Sequence, residues 1–296
     1  MQFVQKYFWL IMLVSLTLGF VLPSVGMILK DYVTEILIVI MTLSCLKIDI
    51  ASLVSVRHDW WRFLVLLFLM YIVPTILVFF SKYFLDEKIF LGLLIAAAMP
   101  CAVSVVFISD LLGGEPPKAL VATSIAHIIS PFVTPFLVYL FAHANIDVNF
   151  YDMMILILKL VAVPFVFAQL LRYLHVGKIL SRVSSTVNAY LLVALIWGIT
   201  AAARIIFLNN LSQVGVIAIF VSFILIGVIT MSILFGRNKK EDITWSIVGM
   251  YKNLGLSSVI ALNMFGPIAV LGSVVYTIVG NLAIAALQFW GRKRPL

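Results

Sequence analysis

Long runs of apolar residues, separated by short polar loops, make up most of this chain. Ten runs hold about 17–25 residues each, the length that an α-helix needs to cross a bilayer. Their approximate limits are 7–29, 32–48, 61–82, 88–112, 118–142, 152–174, 184–206, 213–236, 243–265 and 267–290. The first run is longer than the apolar core of a typical signal peptide, so we interpret it as a span. The pattern therefore predicts ten transmembrane helices.

The composition supports this prediction. Of the 296 residues, 64% are hydrophobic and 11% are charged, whereas soluble globular chains carry about a quarter charged residues. Only helices and closed barrels satisfy all of their own backbone hydrogen bonds in lipid. The apolar runs are continuous rather than alternating, which excludes a barrel. We therefore expect an all-α integral membrane protein, with residues 1–296 in a single transmembrane domain.

The net charge of +8 indicates orientation rather than binding to nucleic acid, because Lys and Arg lie in the short loops. Cytoplasmic loops are enriched in these residues. With both termini on one side of the membrane, that side holds Lys6, Lys47, Arg57, Arg62, Lys118, Arg172, Lys178, Arg182, Arg237, Lys239, Lys240, Arg292, Lys293 and Arg294. The opposite side holds Lys30, Lys82, Lys88 and Arg204. The bias predicts cytoplasmic termini, in a prokaryotic inner or plasma membrane.

The chain divides into two sets of five spans. The loop 143–151 lies near the midpoint, between a first half of about 1–142 and a second of about 152–290. Because five is an odd number of crossings, the two halves have opposite orientations. Inverted repeats of this kind are typical of secondary transporters, which bind substrates where helices at matching positions are interrupted.

Two spans at matching positions carry helix-breaking residues. Pro100 interrupts the fourth span, and Gly249, Asn253 and Gly255 lie at the centre of the ninth. Lys252 lies in the same central segment, where a lysine costs about 2.5–3.5 kcal/mol on insertion scales. About ten residues of helix separate it from either end, too far for its ammonium to reach water. The two segments are predicted to form a transport site.

Two long segments resemble the bile acid:sodium symporter family. They are MPCAVSVVFISDLLGGEPPKALVATSIAHIISPFVTPFL from Met99 and KNLGLSSVIALNMFGPIAVLGSVVYTIVGNL from Lys252, and TLSCLKIDIASL from Thr42 adds to the likeness. The resemblance covers essentially the whole chain. It implies a six-helix core and a four-helix panel, with the fourth and ninth helices unwound and crossing at mid-membrane. It also implies substrates that are organic anions, such as bile acids or pantoate.

The positions that hold sodium ligands in members of that family are different here. Val105 and Val106 stand where the resemblance places a Ser-Asn pair, and Val248 stands where it places a glutamate. Lys252 and Leu69 each replace a glutamine. Aliphatic side chains cannot coordinate a hard cation, and an ammonium repels one. We therefore expect no conventional sodium site, no other metal and no cofactor. Transport would be sodium-independent or proton-linked, with Lys252 in place of the cation.

The resemblance and the interrupted spans together give the candidate site residues. For the substrate they are Pro100, Cys101, Val103, Ser104, Asn253, Ser257, Ser258 and Asn281. For ion coupling they are Lys252, His127, Thr123 and Ser130. His127 is open to two interpretations, a satisfied structural histidine or a proton relay. The serines could instead bond to the backbone of their own helices.

Three other functions compete with organic-anion transport. Arsenite-efflux carriers share the fold and the Pro-Cys pair seen at Pro100-Cys101, but their ninth span carries a glutamate where this chain has Gly255. An intramembrane enzyme is not expected, because no HExxH motif occurs and no acidic residue lies at mid-membrane. A channel fits interrupted repeats less well than alternating access does. The expected partners are a small organic anion and lipid, with no nucleic acid and no obligate protein partner.

Overall fold

The computed structural model describes residues 8–46, 60–142, 149–174 and 177–292, nearly all of them helical. The helices are α1 (Phe8–Val21), α2 (Pro23–Lys30), α3 (Val33–Cys45), α4 (Trp60–Leu67), α5 (Val73–Phe79), α6 (Glu87–Ala97), α7 (Val105–Leu111), α8 (Pro116–Ala142), α9 (Phe150–Ile157), α10 (Val163–Tyr173), α11 (Gly177–Asn209), α12 (Leu211–Phe235), α13 (Lys239–Met250), α14 (Leu254–Phe265) and α15 (Val270–Arg292). The π-helical turns Phe68–Ile72 and Leu158–Ala162 join α4 to α5 and α9 to α10. Short 3-10 turns occupy Phe80–Tyr83 and Pro267–Ala269.

Within the described ranges, six helical stretches are long and apolar enough to cross a membrane. They are Trp60–Tyr83, Pro116–Ala142, Phe150–Tyr173, Thr186–Asn209, Leu211–Phe235 and Pro267–Leu287. These match the third, fifth, sixth, seventh, eighth and tenth predicted spans, so the prediction of a multi-pass helical membrane protein is confirmed. Five of the orienting charges lie outside the described residues: Lys6, Lys47, Arg57, Lys293 and Arg294. Residues 143–148, which form most of the central loop, also lie outside them.

The other four predicted spans are short or interrupted. The second is the 13-residue helix α3, and the fourth and ninth are each divided into two helices. The first is not one continuous helix, because α1 and α2 meet at an angle of 103°. The bend lies at Pro23, which has no N–H to donate and whose ring excludes a straight continuation of α1.

Close backbone contact holds α6 against the start of the tenth span. A Cβ atom added to Gly92 would lie 1.7 Å from the Ala269 carbonyl oxygen, and one added to Gly272 would lie 2.4 Å from the Leu93 nitrogen. Small residues of this kind let membrane helices approach at backbone distance. The contact fixes α6, and with it the chain that follows Ala97, deep inside the large hydrophobic core.

Candidate functional site

The two interrupted spans meet where their helices stop. Cys101 lies between α6 and α7, Lys252 lies between α13 and α14, and the two residues pair as an antiparallel β-bridge. The Asn253 N–H donates to the Pro100 carbonyl at 2.8 Å, and the Ala102 N–H donates to the Tyr251 carbonyl at 3.0 Å. The predicted interruptions are therefore confirmed, and backbone bonds join them directly. We call this pairing the crossover.

Side chains from other spans bind carbonyls that the interruptions leave without a helical partner. The Thr134 hydroxyl on α8 donates to the Ala98 carbonyl at 2.8 Å. The Tyr276 hydroxyl on α15 donates to the Met250 carbonyl at 2.8 Å. A buried carbonyl without a donor costs free energy comparable to a lost hydrogen bond. Thr134 and Tyr276 thus stabilise the crossover, although neither was among the predicted site residues.

Lys252 points into the protein, with only 1% of its surface exposed. Its ammonium donates to the carbonyl of Met70, in the π turn of the third span. It also donates to the carbonyl of Met99 in the fourth span, at 3.4 Å. The Tyr71 ring centroid lies 5.9 Å from the same nitrogen. Both acceptors are therefore backbone carbonyls, one from the third span and one from the fourth.

His127 and Asn253 form a polar pair behind the crossover. The Nδ1 atom of His127 lies 2.8 Å from the carbonyl oxygen of Thr123, so this nitrogen carries the hydrogen. Nε2 then accepts from the Asn253 amide at 3.4 Å. The Asn253 side-chain oxygen caps α14 by accepting from the Leu256 N–H at 3.2 Å. The neutral Nδ1–H tautomer of His127 satisfies both of its contacts, which favours the structural interpretation of this residue.

A cavity of about 350 Å³ opens beside the crossover. Five predicted site residues line it: Val103, Ser104, Lys252, Asn253 and Ser258. Polar residues that sequence reasoning missed also line it: Ser44, Asn188, Thr200, Tyr251 and Thr277. Most of the remaining wall is aliphatic, contributed by α1, α3 and α11. Among the described residues of this wall there is one lysine and no acidic side chain.

The other candidates are buried away from this cavity. The Cys101 thiol is fully buried and lies 3.4 Å from the Thr123 hydroxyl. In this conformation Cys101 therefore presents no soft ligand to the cavity. The arsenite alternative would require one there. Pro100 contributes its carbonyl to the crossover. Ser257 lies 2.6 Å from the hydroxyl of Ser273.

Ser130 and Asn281 both bond to backbone or side-chain groups inside the protein. The Ser130 hydroxyl donates to the His127 carbonyl at 2.9 Å, whose helical donor would have been the nitrogen of Pro131. The Asn281 side-chain oxygen accepts from the Tyr251 hydroxyl at 2.9 Å, and its amide donates to the Thr277 carbonyl at 2.8 Å. Ser130 and Asn281 therefore support the structure around the crossover and do not line the cavity.

Comparison with known proteins gives a consistent assignment. The model of the SBF-like CPA transporter family matches residues 6–282. The chain belongs to this family. It is also 24% identical over 303 aligned positions to the uncharacterized sodium-dependent transporter YocS of Bacillus subtilis, covering 99% of this chain and 93% of that protein. The predicted likeness to bile acid:sodium symporters is thereby confirmed.

Four of the positions at which the resemblance to bile acid:sodium symporters places sodium ligands carry aliphatic side chains. Leu69, Val105 and Val248 are each fully buried in the hydrophobic core. Val106 is partly buried and lines the cavity. These four side chains carry no oxygen, so the ligands that a hard cation requires are missing from these positions.

An ion-pair network joins the third, fifth and ninth spans at one end. Glu241, at the start of α13, pairs with Arg62 at 2.5 Å and with Lys118 at 3.4 Å. It also accepts from the Arg237 N–H at 2.8 Å. Burial raises the pKa of Glu241, but the bonds from Arg237 and Arg62 and the charge of Lys118 outweigh it and hold the pKa below its ordinary value of 4.5. The ionised carboxylate therefore stabilises the folded state.

The linkage between this pKa and folding predicts a pH dependence. Because the folded pKa is lowered, the contribution of Glu241 is complete above pH 4.5 and is lost as pH falls toward the lower folded value. Glu241→Gln should lower the melting temperature at neutral pH and weaken its fall below pH 4.5. Glu87→Gln, at an exposed carboxylate of α6, should retain the wild-type profile. Parallel melting-temperature profiles for wild type and Glu241→Gln would contradict the prediction.

Proposed function

We propose that the protein is a secondary active transporter that moves a small organic anion by alternating access, without conventional sodium sites. The observation that carries this proposal is the cavity beside the crossover, whose described wall contains Lys252 and no acidic side chain. A buried ammonium is costly without a counter-charge. The charge of an anionic substrate in the cavity would offset part of this cost, and the aliphatic wall would hold its apolar body.

The two interrupted spans support an inverted-repeat architecture. In such transporters, the N-termini of broken helices direct their positive dipole ends toward the substrate. Here α14 begins at the crossover, and Asn253, Gly255 and Ser258 from its first turns line the cavity. This proposal includes ten membrane crossings, repeats of about 1–142 and 152–290, core and panel domains, and cytoplasmic termini.

Lys252 is the fixed cation of the proposed mechanism. Lys252 takes the sequence position at which the family resemblance places a glutamine ligand of sodium, and its ammonium binds the carbonyls of Met70 and Met99. Coupling would then be absent or would use a proton. YocS is named a sodium-dependent transporter, so sodium dependence is the alternative that has to be tested directly.

Binding of carboxylates to the purified protein in sodium and in potassium, across a pH series, tests the proposal. We expect a carboxylate with a compact apolar body to bind and to raise the melting temperature equally in both salts. A ligand at about a hundred times its Kd stabilises by about 2.7 kcal/mol, which is readily measured. A rise specific to sodium would contradict sodium independence.

A pair of variants locates the binding site. Val103→Trp places a bulky ring in the cavity wall and should abolish carboxylate binding. Ile219→Trp introduces the same ring at a position with 56% exposure on α12 and should leave binding unchanged. Binding that survives Val103→Trp in a folded protein would place the substrate elsewhere.

A further inference from the structure

The third span has a local feature that frees one carbonyl. Its helix widens into the π turn Phe68–Ile72 and continues in α5, whose second residue is Pro74. In an α-helix the Met70 carbonyl would accept from the nitrogen of residue 74. Proline has no N–H, so this carbonyl lacks the donor that an α-helical register would give it.

The Lys252 ammonium donates a hydrogen bond to that carbonyl. Met70 is fully buried and Lys252 is 1% exposed, so a donor to this oxygen has to come from the protein. The ninth span runs close enough to supply it, since a Cβ atom on Gly249 would lie 3.7 Å from the Leu69 carbonyl oxygen. The missing N–H and the approach of the ninth span together explain why the ammonium rests here.

We propose that Pro74 is a positioning residue for Lys252: by withholding an N–H, it keeps the Met70 carbonyl as the acceptor that holds the ammonium between the third and fourth spans. The importance of this contact for transport rests on the function proposed above. It makes the third span part of the cation's binding site, through a backbone atom.

The sixth span provides an internal comparison. It has the same arrangement, a π turn at Leu158–Ala162 followed by Pro164 as the second residue of α10. The carbonyl that loses its donor there is that of Leu160, which is not among the acceptors of Lys252 in the described structure. Pro164 is buried, as Pro74 is. Pro164→Ala is therefore a matched control.

The test is a cycle of melting temperatures for Pro74→Ala in two backgrounds. In the wild type, the new N–H competes with Lys252 for the Met70 carbonyl, and the melting temperature should fall by about 2–4 °C. In Lys252→Met, which cannot donate, the same N–H satisfies an orphaned carbonyl, and the melting temperature should rise. Pro164→Ala should have the same effect in both backgrounds.

The reversal of sign separates positioning from a general packing role. Equal losses from Pro74→Ala in both backgrounds would overturn the proposal. If Lys252→Met is too unstable to purify, recovery of its cellular level by Pro74→Ala supports the proposal and a further loss overturns it. The reversal is expected even if Lys252→Met transports normally, a result that would count against the proposed function alone.

Discussion

Lys252→Ala is expected to loosen the crossover and to abolish most transport. The substitution removes the donor to the Met70 and Met99 carbonyls, at about 1–3 kcal/mol for each buried group left unsatisfied. It also removes the positive charge beside the cavity, so anion binding should weaken together with stability. Melting temperature and uptake into proteoliposomes measure the two effects separately.

Lys252→Gln distinguishes charge from hydrogen bonding. Glutamine restores the residue type that the family resemblance places here and can still donate to a carbonyl, so this variant should retain more of the fold than alanine does. It should not acquire sodium dependence, because Leu69, Val105 and Val248 remain apolar and buried. Wild-type transport rate and pH dependence in Lys252→Ala would leave the lysine without a role in the mechanism.

Gly92→Ala is expected to destabilise the protein severely. The new Cβ atom would lie 1.7 Å from the Ala269 carbonyl oxygen, and neither backbone can move without displacing the core around it. Overpacking typically costs about 1–3 kcal/mol, and a clash between backbones belongs at the upper end or beyond. We expect loss of folded protein, measured as monodisperse yield and melting temperature.

Gly215→Ala is the matched control for this substitution. Gly215 lies in the helix α12, and a Cβ atom there would meet nothing within 4 Å. Alanine has the better helix propensity by about 1 kcal/mol, so the control should be neutral or stabilising. A Gly92→Ala protein as stable as Gly215→Ala would mean that α6 and the tenth span do not touch.

The interruptions of the fourth and ninth spans could be predicted because local residues cause them. Pro100 removes a backbone donor at the centre of the fourth span, Asn253 caps the start of α14, and a lysine in the middle of an apolar run requires an internal partner. The donors that complete the crossover could not be predicted. Thr134 and Tyr276 lie on spans that are distant in sequence, and nothing about a hydroxyl in an apolar helix identifies the carbonyl it will meet.

The residues of the cavity wall could likewise be predicted from the sequence only where they flank a break. Residues at the crossover, such as Val103, Ser104 and Asn253, were accessible to sequence reasoning because they flank the breaks. Asn188 and Thr200 lie on the continuous helix α11, where the sequence has no local irregularity. Their place in the cavity wall depends on how α11 packs against α1, α2 and α3, which periodicity alone does not determine.

Proline has different effects on the helix in the first span and at the two π turns. Pro23, Pro74 and Pro164 are all visible in the sequence, and each removes one helical N–H donor. The result is a 103° bend at Pro23 but a widened, continuing helix before Pro74 and Pro164. The surrounding packing decides between these outcomes.

The crossover is held by backbone atoms, through the bonds of Ala102 and Asn253 to residues of the opposite interruption. Backbone bonds do not depend on side-chain identity, provided that neither donor becomes proline. The side chains around the pairing can therefore differ while the pairing itself stays the same. Installing the oxygen-bearing residues of the family resemblance at Leu69, Val105, Val106, Val248 and Lys252 would test whether sodium can then drive transport, because the backbone bonds of Ala102 and Asn253 do not use these side chains.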